Sequence, residues 1–161
     1  MNNIKRETIL KLVLIFSIIA ILSAYFIQYV LGHQPCNLCL IERIPYISSI
    51  IIISAILIFK KIEKILLIVL IIIFMSAFIM SLYHFGIEQG FIKESLVCEL
   101  NNESNDLSKE ALLNQLKEMP ISCKNVTFRI FGLSLATFNV FISIILSAIT
   151  IKIFLNYEKN K

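Results

Sequence analysis

Ile65-Leu66-Leu67-Ile68-Val69-Leu70-Ile71-Ile72-Ile73-Phe74-Met75-Ser76-Ala77-Phe78-Ile79-Met80-Ser81-Leu82-Tyr83 runs without one charged residue. A hydrocarbon core about 30 Å thick needs roughly 20 such residues in a helix. Three further stretches have the same character, so the chain reads as four spans, at about 12–31, 40–59, 65–83 and 130–151. Uniformly apolar segments of this length fit helices and are too long for barrel strands, whose residues alternate. The composition agrees. Of 161 residues 58% are hydrophobic and 16% charged, more apolar surface than a water-soluble domain of this size can hide. The expected fold is an all-α membrane protein, a four-transmembrane-helix bundle forming a single domain over 1–161.

The second span is the least regular. Glu42 and Arg43 precede its uncharged part and must sit at the interface or against protein, and Pro45 falls in its first turn or kinks it. The first apolar run follows Lys5 and Arg6 as a signal peptide would. It is too long for that and lacks a small-residue cleavage site, so it is read as a retained span.

Basic residues set the expected orientation. Lys5, Arg6, Lys11, Lys60, Lys61, Lys64, Lys152, Lys159 and Lys161 crowd short segments at one set of helix ends. Arg43, Lys93, Lys109, Lys117, Lys124 and Arg129 are spread over the other side among acidic residues. Both termini and the Lys60–Lys64 turn are therefore expected in the cytoplasm. All four cysteines then face the opposite, oxidising compartment of a bacterium, the periplasm. The net charge of +4 is a topology signal and carries no nucleic-acid role.

Between the third and fourth spans lies a long polar loop at about 86–127. Gly86 reads as the glycine ending the third helix. Inside the loop, Leu107, Leu112, Leu113, Leu116 and Met119 recur at helical spacing after Ser108, an N-cap candidate, so a short amphipathic helix is expected there.

Chemistry is carried by the cysteines, which form two pairs: Cys36 with Cys39, and Cys98 with Cys123. A C-x-x-C serves redox and zinc sites alike. Cys39 stands near a helix start, where backbone amides favour an anion, and Arg43 four residues on can reach back toward its sulfur. Both effects favour a reactive thiolate. Zinc remains an alternative by ligand count, although Cys98 and Cys123 lack the close spacing of a zinc knuckle. Structural disulfides are a third reading. A Cys98–Cys123 bond would stabilise the loop by roughly 3–4 kcal/mol, but a Cys36–Cys39 ring constrains almost nothing. The redox reading accounts for most, and no metal is assigned. With four scattered glycines, no nucleotide-binding fingerprint and no haem or iron–sulfur motif, the economical electron acceptor is a membrane quinone. Arg43 can polarise its carbonyl, and His84 emerges on the same face. His33 reads as a solvated loop residue, and Gln28 as a helix-to-helix hydrogen-bonding group.

Pro35-Cys36-Asn37-Leu38-Cys39-Leu40-Ile41-Glu42-Arg43 resembles the P-C-x-L-C-x-x-[EQ]-R signature of the bacterial DsbB family of disulfide-bond formation proteins. The likeness extends to four spans, to Tyr83-His84 with Gly86 and Glu88, to a loop cysteine pair, and to Phe131-Gly132-Leu133-Ser134 opening the fourth helix. It implies that a reduced DsbA-like periplasmic thiol oxidase attacks a Cys98–Cys123 disulfide at Cys98. Cys123 then exchanges with Cys36, freeing Cys39 beside a non-covalent ubiquinone or menaquinone held with Arg43 and, more remotely, His84. The implied protein is a quinone-reducing disulfide oxidoreductase of the bacterial inner membrane. The chain departs from many members in having no Trp. Vitamin K epoxide reductase homologues also pair loop cysteines with a membrane C-x-x-C, but in the opposite chain order. The alternative from a different class is a disulfide-stapled membrane scaffold without turnover.

Overall fold

The computed structural model describes residues 3–93, 123, 129–130 and 132–159. The elements are α1 (Asn3–Tyr29), α2 (Asn37–Ile41), α3 (Arg43–Ile58), a 3-10 turn (Lys60–Ile62), α4 (Glu63–Glu88), the two-residue strands β1 (Arg129–Ile130) and β2 (Leu133–Ser134), and α5 (Leu135–Lys159). Four segments are long and apolar enough to cross a membrane: Lys5–Tyr29, Asn37–Ile58, Lys60–Glu88 and Leu135–Lys159. The amphipathic helix expected within 107–119 and the residue Cys98 lie outside the described residues, as does most of the loop at 86–127.

The four-span, all-helical expectation matches, and the boundaries move for local reasons. The second span is two helices rather than one. Pro45 has no N–H to give the Ile41 carbonyl, so the chain breaks at Glu42 and restarts at Arg43. The third helix does not stop at Gly86. It runs on to Glu88, and Gly90, with φ 77, supplies the left-handed residue after it. Gly86 has a different purpose. A Cβ there would stand 2.7 Å from Ile92 Cδ1, so the absent side chain lets the returning chain lie against the helix. The fourth helix begins at Leu135, not near 130. Arg129 pairs with Ser134 and Ile130 with Leu133 in a tight antiparallel hairpin, with Gly132 at φ 82. Ser134 then caps the helix, accepting from the Thr137 amide at 3.2 Å.

Packing is sequential: α1 lies mainly on α3, α3 on α4, and α4 most extensively on α5. The core is Leu10, Val13, Ile53, Ile56, Leu67, Leu70, Phe74, Leu146 and Ile153, with Tyr46 at its upper edge. Apolar residues also cover the outside, among them Leu12, Ile19, Leu22, Ile65, Ile72, Ile79 and Ile145. Small polar groups are turned inward. Ser17, Ser49, Ser81, Ser143, Ser147 and Thr150 are all buried, and Ser49 donates to Ser17 Oγ across α3 and α1 at 3.1 Å. Apolar outside and small-polar inside is the distribution for a bundle whose solvent is lipid.

One end of the bundle is closed by ion pairs. Arg6 faces Glu63 with Nη2–Oε2 at 3.1 Å and Nε–Oε1 at 2.9 Å, the second a charge contact without hydrogen-bond alignment. The Arg6 guanidinium also lies 5.1 Å from the Tyr157 ring centroid. Lys60–Glu7 and Lys64–Glu158, at 2.6 and 2.5 Å, join the same helix ends at the surface. The start of α1, the 60–64 turn and the end of α5 therefore share one end. Cys36, Cys39, His84 and Cys123 occupy the other.

Candidate functional site

At that second end the break before α3 leaves α2 as a short separate helix, and its first residues carry the sulfurs. Pro35 keeps Gln34 extended. Cys36 then becomes the N-cap, with φ −71 and ψ 166, and its sulfur accepts from the Cys39 amide at 3.4 Å. One turn brings the two free cysteines together, Sγ to Sγ 2.9 Å, sharing a hydrogen-bonded proton. From α4, His84 Nε2 comes to 3.5 Å of Cys36 Sγ. His84 is buried, and its other nitrogen, Nδ1, is 3.0 Å from Glu42 Oε1. Glu42 Oε2 accepts from Asn139 Nδ2 at 2.9 Å, and Asn139 Oδ1 accepts from the Tyr46 hydroxyl. A continuous polar chain thus runs from buried Cys36 through His84 and Glu42 to half-buried Asn139 and on to Tyr46.

The convergence on Cys36 has an electrostatic result. Hydrogen bonding from the Cys39 side chain is the largest effect; burial opposes it, and His84 reinforces it. Together they bring the Cys36 thiol from 9.0 down to about 4. The sequence places the favoured thiolate on Cys39, with Arg43 reaching back to it. The structure puts the anion-stabilising groups around Cys36. Arg43 instead donates to Gln28 Oε1 at 2.6 Å and sits 5.1 Å from the Tyr25 ring centroid. The helix break explains this, since Cys39 and Arg43 belong to different helices and lose the i, i+4 geometry of a continuous one. Gln28 forms the helix-to-helix bond read from the sequence.

The third described cysteine closes the picture. Cys123 is disulfide-bonded and buried, and it belongs to one cluster with Cys36, Leu38 and Ile87, against which Cys39 and Tyr83 pack. Beside this cluster is a cavity of about 410 Å³, walled by Phe16, Ile19, Ile27, Phe138 and Ile142 of α1 and α5. Cys36, Cys39, Cys123, Arg43, His84, Glu42 and Tyr46 all contribute to its polar end. His33, read as a solvated loop residue, also lines it. The structure therefore brings together Cys36, Cys39, Cys123, Arg43 and His84 of the six site residues read from sequence; Cys98 lies outside the described residues. Sequence reasoning missed Glu42, Asn139 and Tyr46 as partners of the site. The acidic residue four before Tyr46 was visible, but nothing in one sequence links it to Asn139, 97 residues away.

Residues 6–153 match the family described as disulfide bond formation protein DsbB. The chain belongs to the DsbB family. It is 35% identical over 150 residues to the uncharacterised protein RP370 of Rickettsia prowazekii (strain Madrid E), covering 90% of this chain and 87% of that one. No solved structure matches it. DsbB membership, four apolar helices and a reduced C-x-x-C beside a disulfide-bonded cysteine agree on a multi-pass membrane protein of disulfide oxidoreductase chemistry.

Proposed function

We propose that this protein reoxidises a reduced DsbA-like periplasmic thiol oxidase and passes the two electrons to a membrane quinone. The observation carrying the proposal is the shared cluster of Cys123, Cys36 and Cys39 at the polar end of one apolar cavity. In this reading Cys98 and Cys123 form the pair that meets the partner, and Cys36 and Cys39 the pair that meets quinone. Both termini lie in the cytoplasm and the cysteines in the periplasm.

The exchange balances as thiolate–disulfide chemistry. A partner thiolate attacks Cys98, forming a mixed disulfide and releasing Cys123 as thiolate. Cys123 attacks Cys36, its neighbour in the cluster, and releases Cys39. The partner's second thiolate then breaks the mixed disulfide, leaving oxidised and freeing Cys98. Cys98 bonds Cys123 again, and Cys36 leaves as thiolate. The resulting state has Cys36 and Cys39 reduced and Cys123 disulfide-bonded, as in the structure described above.

A cavity of about 410 Å³ with apolar walls and a few convergent polar groups suits a quinone ring and the start of its tail. A bound ubiquinone or menaquinone would accept two electrons and two protons. Cys36 and Cys39 supply the electrons as their sulfurs, already 2.9 Å apart, close into a disulfide. One proton comes from the Cys39 thiol, and His84, held by Glu42, carries the one that Cys36 has given up. Arg43, positioned by Gln28 and Tyr25, would hold a quinone carbonyl oxygen by a charged hydrogen bond.

The test is a coupled assay: purified protein, a reduced thioredoxin-like thiol oxidase and ubiquinone, followed by quinone absorbance. Turnover should be present in the intact chain and absent in Cys39→Ala. Absence from the intact chain rejects the enzyme and favours the stapled scaffold, and survival in the variant rejects the mechanism through Cys39.

A further inference from the structure

The reduced pair is also a donor set. Cys36 Sγ, Cys39 Sγ and a ring nitrogen of His84 lie within 4.8 Å of one another. We propose that the reduced chain binds one thiophilic divalent cation of the Zn²⁺ class on Cys36, Cys39 and His84. The bound cation holds the pair reduced, as a dithiolate.

Two sulfurs and an imidazole are the donors such a cation prefers, and oxygen-seeking cations such as Mg²⁺ do not. Tetrahedral coordination asks for about 3.5 Å between sulfur and nitrogen and about 3.8 Å between sulfurs, from Zn–S near 2.3 Å and Zn–N near 2.0 Å. The Cys36–His84 separation is already 3.5 Å. The sulfurs, at 2.9 Å, must open by about 0.9 Å, within reach of a rotation of the less buried Cys39 side chain. Orientation of the imidazole is set in advance. Nδ1 is held by Glu42, which Asn139 holds in turn, leaving Nε2 toward the sulfurs. A carboxylate behind a metal-binding histidine fixes its ring and raises its basicity in this way. The fourth position opens to the cavity, which all three residues line. The zinc alternative read from sequence counted four cysteines as ligands. Here His84 takes the place of the loop pair, since Cys123 is already in a disulfide.

Binding displaces the thiol protons and uses the sulfur lone pairs that a disulfide would use, so metal and oxidation exclude each other. Inhibition of turnover by the cation rests on the proposed function; binding itself does not.

The full-length protein in detergent, reduced by a phosphine without oxygen, is titrated with Co²⁺ as spectroscopic probe and then with Zn²⁺. One Co²⁺ per chain should give sulfur-to-cobalt charge transfer and a tetrahedral visible spectrum, which Zn²⁺ then removes. The variant Cys98→Ser/Cys123→Ser should behave the same. Cys39→Ser should lose the tetrahedral spectrum, and His84→Asn should weaken binding at least about 10-fold, with far-ultraviolet dichroism checking that each remains helical. Absence of the spectrum from the intact reduced chain and from Cys98→Ser/Cys123→Ser overturns the site. So does a spectrum indifferent to Cys39→Ser and His84→Asn. The readout is independent of quinone, so a chain that binds cobalt without turning over rejects only the proposed function.

Discussion

His84 Nε2 stands 3.5 Å from Cys36 Sγ while Nδ1 of the same ring is held at 3.0 Å by Glu42. The imidazole is therefore fixed between a sulfur and a carboxylate, where the proposed cycle has it hold a proton. Replacing His84 by Gln should slow reoxidation of the Cys36–Cys39 dithiol by quinone about 10²-fold, the lower range for a lost acid–base group. Single-turnover absorbance measures this step alone. Glu42→Gln keeps a carbonyl for Nδ1 and should show a smaller loss with a shifted pH profile.

Cys36 should titrate far below an ordinary thiol. Its depressed value, about 4 against 9.0, means the folded reduced chain prefers the thiolate more than the unfolded chain does. The resulting stabilisation is fully present above pH about 9, declines as pH falls, and is gone below about 4. Iodoacetamide labelling of Cys36, mapped by mass spectrometry, should thus be nearly level from pH 6 to 8, the range tested. A rate rising about tenfold per pH unit there would place the thiol at an ordinary value.

Arg43 is braced by a hydrogen bond to Gln28 and by the Tyr25 ring rather than by a sulfur. Arg43→Leu should raise the quinone KM while leaving thiol exchange with the partner intact. Loss of one charged hydrogen bond, about 1.5–3 kcal/mol, corresponds to roughly 10- to 100-fold. Gln28→Ala should reproduce part of the effect by releasing the guanidinium.

Glu63→Ala should be the most destabilising of these changes. It leaves Arg6, buried under Tyr157, without its carboxylate, at a cost of about 3–5 kcal/mol. Thermal unfolding in detergent, with the milder double variant Arg6→Ala/Glu63→Ala beside it, measures the difference.

The sequence made the spans plain because hydropathy is local: 65–83 needs nothing distant to be read as a helix in lipid. Boundaries were harder. Ile130, Phe131 and Leu133 are as apolar as any span residue, so only the hairpin around Gly132, a pairing of backbone groups, moves the helix start to Leu135. Gly86 looked like a helix end, whereas its role is close approach by Ile92. Within the site, Cys36 and Cys39 were legible because a C-x-x-C is a short-range pattern. The anion's place was not, because it depends on where His84 arrives from another helix and on a break that turns Arg43 away. The Glu42–Asn139–Tyr46 chain joins α5 to α3 and the residue between α2 and α3, a relation that one sequence does not encode locally.

The proposed cycle turns on electrons passing from Cys123 to Cys36. Trapping tests it most directly. In Cys39→Ser the Cys36 thiolate has no resolving partner and can attack Cys123 of the Cys98–Cys123 disulfide, releasing Cys98, so the isolated chain should carry a Cys36–Cys123 disulfide, identified by peptide mass mapping without reduction. A chain in which Cys36 stays free and Cys123 is joined only to Cys98 would contradict the account.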